Sequence, residues 1–398
     1  MSTSTSTHAG TGAGAVTDPA TGTDLARLLA CEIDPVRGFL PARDPLERLP
    51  AGFEPWEETT VRLPSLMAAG RARDVVGRLG PLPATRLHGD RRALWRAYML
   101  LSLLANAHVM DGEERDRTLP RTIAEPLCEV AAALGMPPIP TYATLVLHNW
   151  ARVDASGPLS LDNLVPLRPF SGGMDEQWFF LSMTAIEAAG GPALAAVEVM
   201  REGIGADRPE LVSDALVRIR DAVEAMMATL RRIPERCDPY VYYHRVRPPM
   251  GAWGEPGVVY EGVGTAPQNW DAASGAQSAL LQTLDAALGV RHGGETDGFL
   301  RGMRAYMPPG HRRFLTALEA GPSVRDHIVA RDDDEKLRGR YNDAVDVLDT
   351  FRRSHMGLTV RYLSKQAGPE GVGYGTGGTD FVHFLHDTRL EASAHRID

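Results

Sequence analysis

The spacing of apolar residues near the C-terminal end constrains the fold most. Leu337, Tyr341, Val345, Leu348 and Phe351 follow one another at intervals of three or four, and Leu358 and Tyr362 continue the pattern after His355. Such spacing places them all on one face of an α-helix. His355, four after Phe351 and three before Leu358, shares that face. Asp346, Asp349, Arg352 and Arg353 fall largely on the other side. A buried imidazole needs a partner for each ring nitrogen. Spacing alone leaves two readings of His355 open: a core residue bonded to a backbone carbonyl, or a ligand for something the protein holds.

The same period recurs along the chain. In PELVSDALVRIRDAVEAMMATLRRI, the residues Val212, Leu216, Ile219, Val223, Met226 and Leu230 make one apolar stripe, and Pro209 suits the first helical turn. DEQWFFLSMTAIEAAG and SGAQSALLQTLDAALGV are Ala/Leu-rich helical runs, each expected to end at glycine. In DPYVYYHRVRPP, Asp238 is a candidate N-cap with Pro239 behind it, and Pro248-Pro249 stops the helix near Arg247. Only short pieces such as GVVYEGV suggest strand. The chain reads as mainly α, without the βαβ alternation of a doubly wound sheet.

With 398 residues and 43% hydrophobic content, the chain can build one large or two ordinary cores. Its net charge of −9 argues against a nucleic-acid or anionic membrane surface. Cys31, Cys128 and Cys237 are far apart, with no CxxC and no covalent haem CxxCH site. That is a reducing-compartment pattern, and a cytoplasmic location is expected. The Ser/Thr/Gly-rich opening, residues 1–23, lacks the basic and apolar regions of a signal peptide and is expected to be a disordered tail. The most apolar stretch, AYMLLSLLANAHVM, is too short and interrupted to span a bilayer. A Pro-rich join over residues 158–170 divides a smaller helical part, 24–165, from a larger one, 166–398.

Few local motifs carry chemistry. Gly373, Gly375 and Gly378 match GxGxxG, but a helix precedes them where the dinucleotide fingerprint needs a strand. A glycine loop that closes over a site, or a plain flexible loop, fits better. His383 and His386 are three apart without a third ligand nearby. His311, beside a proline turn, suits a structural or surface role, and His108, in an apolar run, suits the core. Arg245 and Arg247 precede the proline pair, which can aim one guanidinium rigidly at a carboxylate.

Several stretches, taken together and in order, resemble the indoleamine 2,3-dioxygenase family of haem enzymes. The fullest is MRAYMPPGHRRFLTALEAGPSVRDHIV; the others are IPTYATLVLHNW, FSGGMDEQWFFL, VYEGV, SGAQS with the LDAALG run, and GTGGTD. The resemblance covers roughly residues 40 to 390. It implies an all-α fold, with a small N-terminal domain capping a larger C-terminal domain that binds haem b. It implies dioxygen as co-substrate, an electron donor that reduces ferric haem, and a small indole substrate.

The resemblance also implies site residues. His355, in RRSHMGL, matches the proximal haem ligand, and Arg247 the arginine that takes the substrate carboxylate. Tyr142, Phe179 and Tyr242 match aromatic residues of the distal pocket, and Thr379 a mobile loop that closes on substrate. Ser274, Gly275 and Val146 fall where the family borders the cofactor. Three positions depart from the family. Tyr242 stands where Phe is usual. Met183 stands where vertebrate members have a small hydroxyl residue, and Leu145 where they have a small thiol. The implied reaction inserts dioxygen across the indole C2–C3 bond of tryptophan or a close derivative, giving an N-formylkynurenine-type product. Alternatives are a haem monooxygenase of a modified indole, a haem-binding sensor without turnover, and a haem-free helical interaction protein.

Overall fold

A computed structural model describes residues 16–367 and 381–398. Among them the helices of ten or more residues are α1 (Glu54–Ala68), α2 (Arg91–Met110), α3 (Arg121–Leu134), α4 (Met174–Gly205), α5 (Pro209–Leu230), α6 (Ala279–Leu288), α7 (Gly294–Met303), α8 (Pro309–Glu319), α9 (Glu335–Thr359) and α10 (Phe381–Ser393). Two short strand pairs accompany them. β1 (Thr118–Leu119) lies parallel to β4 (Val259–Tyr260), and β2 (Trp150–Arg152) antiparallel to β3 (Leu164–Pro166). The mainly helical expectation therefore holds.

The apolar stripes bury as their periods require. Val212, Leu216, Ile219, Val223, Met226 and Leu230 of α5 are all at most 1% exposed, packed mainly against α4 and α9. On α9, Leu337, Tyr341, Val345, Leu348 and Phe351 are buried. Caps fall where the side chains predict. Asp238 accepts from the backbone N–H groups of Tyr240 and Val241, and Gly289 ends α6 in the left-handed conformation at φ +77°.

One helix end is misplaced by the sequence reading. α4 does not stop at Gly190-Gly191 but runs on, through Pro192, to Gly205. These glycines are packing positions. A Cβ on Gly191 would sit 2.4 Å from the Val36 carbonyl oxygen, and one on Gly190 would sit 2.5 Å from Leu280 Cδ2. The backbone of α4 thus touches the backbone of the Asp34–Gly38 turn, and only glycine permits that approach. Gly191→Ala should therefore lower stability by about 1–3 kcal/mol in a denaturant titration. Gly205→Ala, where nothing lies within 4 Å, should be neutral or stabilising.

Among the described residues α4, not the α2 run, is the helix long and apolar enough to cross a membrane by length and composition. Of its most apolar window, 72% is buried inside the protein. Order also begins within the expected tail. Thr17 bridges to Asp24, and the buried Asp18 pairs with Arg218 at 2.7 Å. Residues 1–15 lie outside the described residues. The proposed division between 165 and 166 falls inside β3, and one hydrophobic core contains residues from both sides of it.

Candidate active site

A cavity of about 330 Å³ opens where α4, α5, α6, α9 and α10 meet the segments around residues 142–147 and 242–250. The ten described residues that the resemblance assigns to the site all line it: Tyr142, Leu145, Val146, Phe179, Met183, Tyr242, Arg247, Ser274, Gly275 and His355. Thr379 and the glycines at 373, 375 and 378 lie outside the described residues, as does the side chain of His383. The other described histidines lie elsewhere. His311 is buried with its ring 4.5 Å from that of Phe39, His108 is buried beside Asp116, and His386 is exposed.

His355 sits near the C-terminal end of α9, where the stripe leaves the core and reaches the cavity. It is half-buried and lines the cavity. Burial, and then the neighbouring Arg352, push its pKa down to about 4. The imidazole is neutral at neutral pH, so a nitrogen lone pair is free to ligate a metal.

One turn earlier, Arg352 donates from Nη2 to both carboxylate oxygens of Asp285, each at 2.5 Å. Burial raises the Asp285 pKa, but Arg352 and His292 outweigh it and hold the carboxyl below its usual value. His292 carries the network on to Glu391 of α10, at 2.7 Å. Arg352 Nη1 is buried and bonds to no described residue, and Arg352 lines the cavity.

Aromatic rings form part of the wall. Phe179 of α4 lies 4.4 Å from the Tyr242 ring, and Tyr242 meets Tyr362 edge-on at 5.8 Å. Pro248-Pro249 ends the turn that carries Arg247, as the sequence predicts, and Asn106 of α2 donates to the Pro249 carbonyl at 2.5 Å. Arg247 is half-buried, with its guanidinium carbon 5.4 Å from the centroid of Tyr243, whereas Arg245 is exposed. Thr184 of α4 donates to the Val146 carbonyl at 2.9 Å, which fixes the turn Ala143–Leu147 against the cavity.

Sequence reasoning missed the two acidic groups of this site. Asp285 is one. The other is Glu187, 2% exposed, which accepts at one oxygen from the Tyr142 phenol at 2.9 Å and the Ser278 hydroxyl at 2.6 Å. Burial pushes its pKa up to about 7 against those two hydrogen bonds. A signal was present, because Glu187 is the one ionisable side chain between Glu176 and Glu198.

An apolar cavity with a neutral imidazole on one wall and buried arginine nearby suits a large planar group that takes one nitrogen ligand and carries acidic substituents. Residues 28–395 match the family model described as Indoleamine 2,3-dioxygenase. Indoleamine 2,3-dioxygenase 1 of Rattus norvegicus is 34% identical over 368 residues, covering 87% of this chain and 90% of its own. The Aspergillus candidus Indoleamine 2,3-dioxygenase acdA is 35% identical over 390 residues, with 90% and 94% covered. The Saccharomyces cerevisiae Indoleamine 2,3-dioxygenase is 32% identical over 417 residues, with 91% and 92% covered. A match of this extent, on a helical fold with a histidine-walled apolar cavity, places the chain in the indoleamine 2,3-dioxygenase family of haem-dependent oxidoreductases.

Proposed function

We propose that this protein is a cytoplasmic enzyme that opens the indole ring of tryptophan or a close indole derivative. Both atoms of dioxygen enter the substrate as its C2–C3 bond breaks, giving an N-formylkynurenine-type product. The observation that carries this reading is the convergence of His355, Arg247 and an aromatic wall on one cavity. The residues present fit haem b. His355 would hold the iron, Arg352 offers a buried donor to an acidic substituent, and Ser274, Gly275 and Val146 would border the ring. Haem b, when bound, supplies the iron that activates dioxygen. An electron donor keeps that iron reduced.

The protein supplies binding, orientation and exclusion of water. Arg247 takes the substrate carboxylate. Tyr142, Phe179 and Tyr242 flank the indole, and Leu145 and Met183 fill the space around it. Thr379, to which the resemblance gives a part at the substrate, lies outside the described residues. The test is turnover of tryptophan by the haem-loaded, reduced enzyme under isotopically labelled dioxygen. Two labelled atoms in a ring-opened product are expected. One labelled atom would make the protein a monooxygenase, and haem binding without product would make it a sensor.

A further inference from the structure

Among the ionisable side chains on the cavity wall, Glu187 is given no part by either the family resemblance or the proposed chemistry. Glu187 belongs to α4, yet its partners come from two other elements. Tyr142 precedes the Ala143–Leu147 turn, and Ser278 is the N-cap of α6. Ser278 Oγ accepts from the Leu280 N–H at 3.1 Å, so its own proton is free to go to Glu187 Oε1. The Tyr142 phenol donates to the same oxygen. Tyr142 is tied to this region a second time, because its backbone N–H donates to Gln277 Oε1 at 2.9 Å and Gln277 in turn holds the Ala272 carbonyl at 2.8 Å.

We propose that Glu187 is a positioning residue. It locks the Tyr142 ring and the 272–278 segment to α4, and so sets the shape of the cavity for its ligands. Its burial supports this assignment. Glu187 Oε2 is buried and bonds to no described residue, so the carboxyl fills space at a cost an apolar side chain of similar size avoids. What a leucine there cannot do is accept two hydrogen bonds from different elements. The residues so fixed, Tyr142, Ser274, Gly275 and Ser278, all line the cavity.

The part of this proposal that concerns substrate rests on the indole reading above, so the experiment has two arms. One is KM and kcat for tryptophan in the haem-loaded enzyme. The other is haemin titration of the purified haem-free chain, which needs no substrate. Glu187→Leu should raise KM by about tenfold or more, change kcat by less than about threefold, and weaken haemin binding. Glu187→Gln keeps an oxygen that accepts both bonds and should return each value to within about threefold of the parent. Tyr142→Phe removes one bond and should raise KM in a variant that keeps its packing, which covers the case of a leucine variant that does not fold. The Tyr142→Phe, Glu187→Leu double variant should be no worse than Glu187→Leu alone, because the two act through one bond.

A leucine variant with parental KM and haemin affinity would overturn the proposal. So would a glutamine variant as impaired as the leucine one, or losses that simply add. If the parent neither binds nor converts tryptophan or indole, the indole reading fails, and the haemin arm alone decides whether Glu187 positions the cavity.

Discussion

Replacing His355 with alanine should strip the purified protein of most of its haem, or leave a visibly altered Soret band. The helix should survive, since Leu337, Tyr341, Val345, Leu348 and Phe351 anchor α9 without His355. The neutral imidazole is the only histidine on the cavity wall among the described residues. None of the three cysteines lines that wall, and burial pushes the thiols of Cys128 and Cys237 up to about 11 and 12. Serine variants of Cys31, Cys128 and Cys237 should each keep normal haem and the ferrous–CO spectrum of a nitrogen-ligated iron. Full haem with an unchanged spectrum in His355→Ala would sink the assignment.

Arg247→Ala should keep haem and fold while kcat/KM for tryptophan falls by a factor on the order of 10² or more. A guanidinium that grips a carboxylate in a desolvated pocket makes two parallel charge-assisted bonds. Truncating one partner of such a pair costs about 2–5 kcal/mol. Arg247→Lys keeps the charge without the fork and should also be impaired. Tryptamine lacks the carboxylate, so it should be a poor substrate for the parent and nearly indifferent to either change. Steady-state kinetics on both substrates, with circular dichroism and haem content as controls, checks the set. Normal turnover of tryptophan by Arg247→Ala would remove the clamp. A parent that prefers tryptamine would move the substrate class away from amino acids while leaving His355 in place.

What could be read in advance followed the range of the forces involved. The stripe from Val212 to Leu230 and the cap at Asp238 depend on neighbours within a few residues, and they lie where the sequence places them. The end of α4 did not follow local rules. Gly190 and Gly191 read as a stop, yet what fixes them is contact with Val36 and Leu280, far away in the chain. Their lack of a side chain serves close approach, and no window on the sequence contains the other partner. The site divides in the same way. His355 lies on a legible helix face, but spacing alone could not separate a ligand from a core residue. The resemblance supplied that choice, and the cavity brings the matched residues together. Asp285 and Glu187 were passed over because each sits in an Ala/Leu-rich helical run that looks like plain packing. Their meaning comes from Arg352, Tyr142 and Ser278, which only the folded chain brings near.

The cavity wall begins at Tyr142 and is completed by Thr388 on α10. That span has a consequence for the order in which the protein is made. A ribosome that has delivered everything through α5 has released Tyr142, Phe179 and Met226, but not Ser278, His355 or Phe384. At that stage the apolar faces that will form the cavity have no opposing surface, and His355 has not yet been made. The wall segments on α9 and α10 leave the ribosome well after α5. A complete cavity therefore cannot form before α10 has emerged, and until then the nascent chain must shield its unfinished apolar faces from other chains.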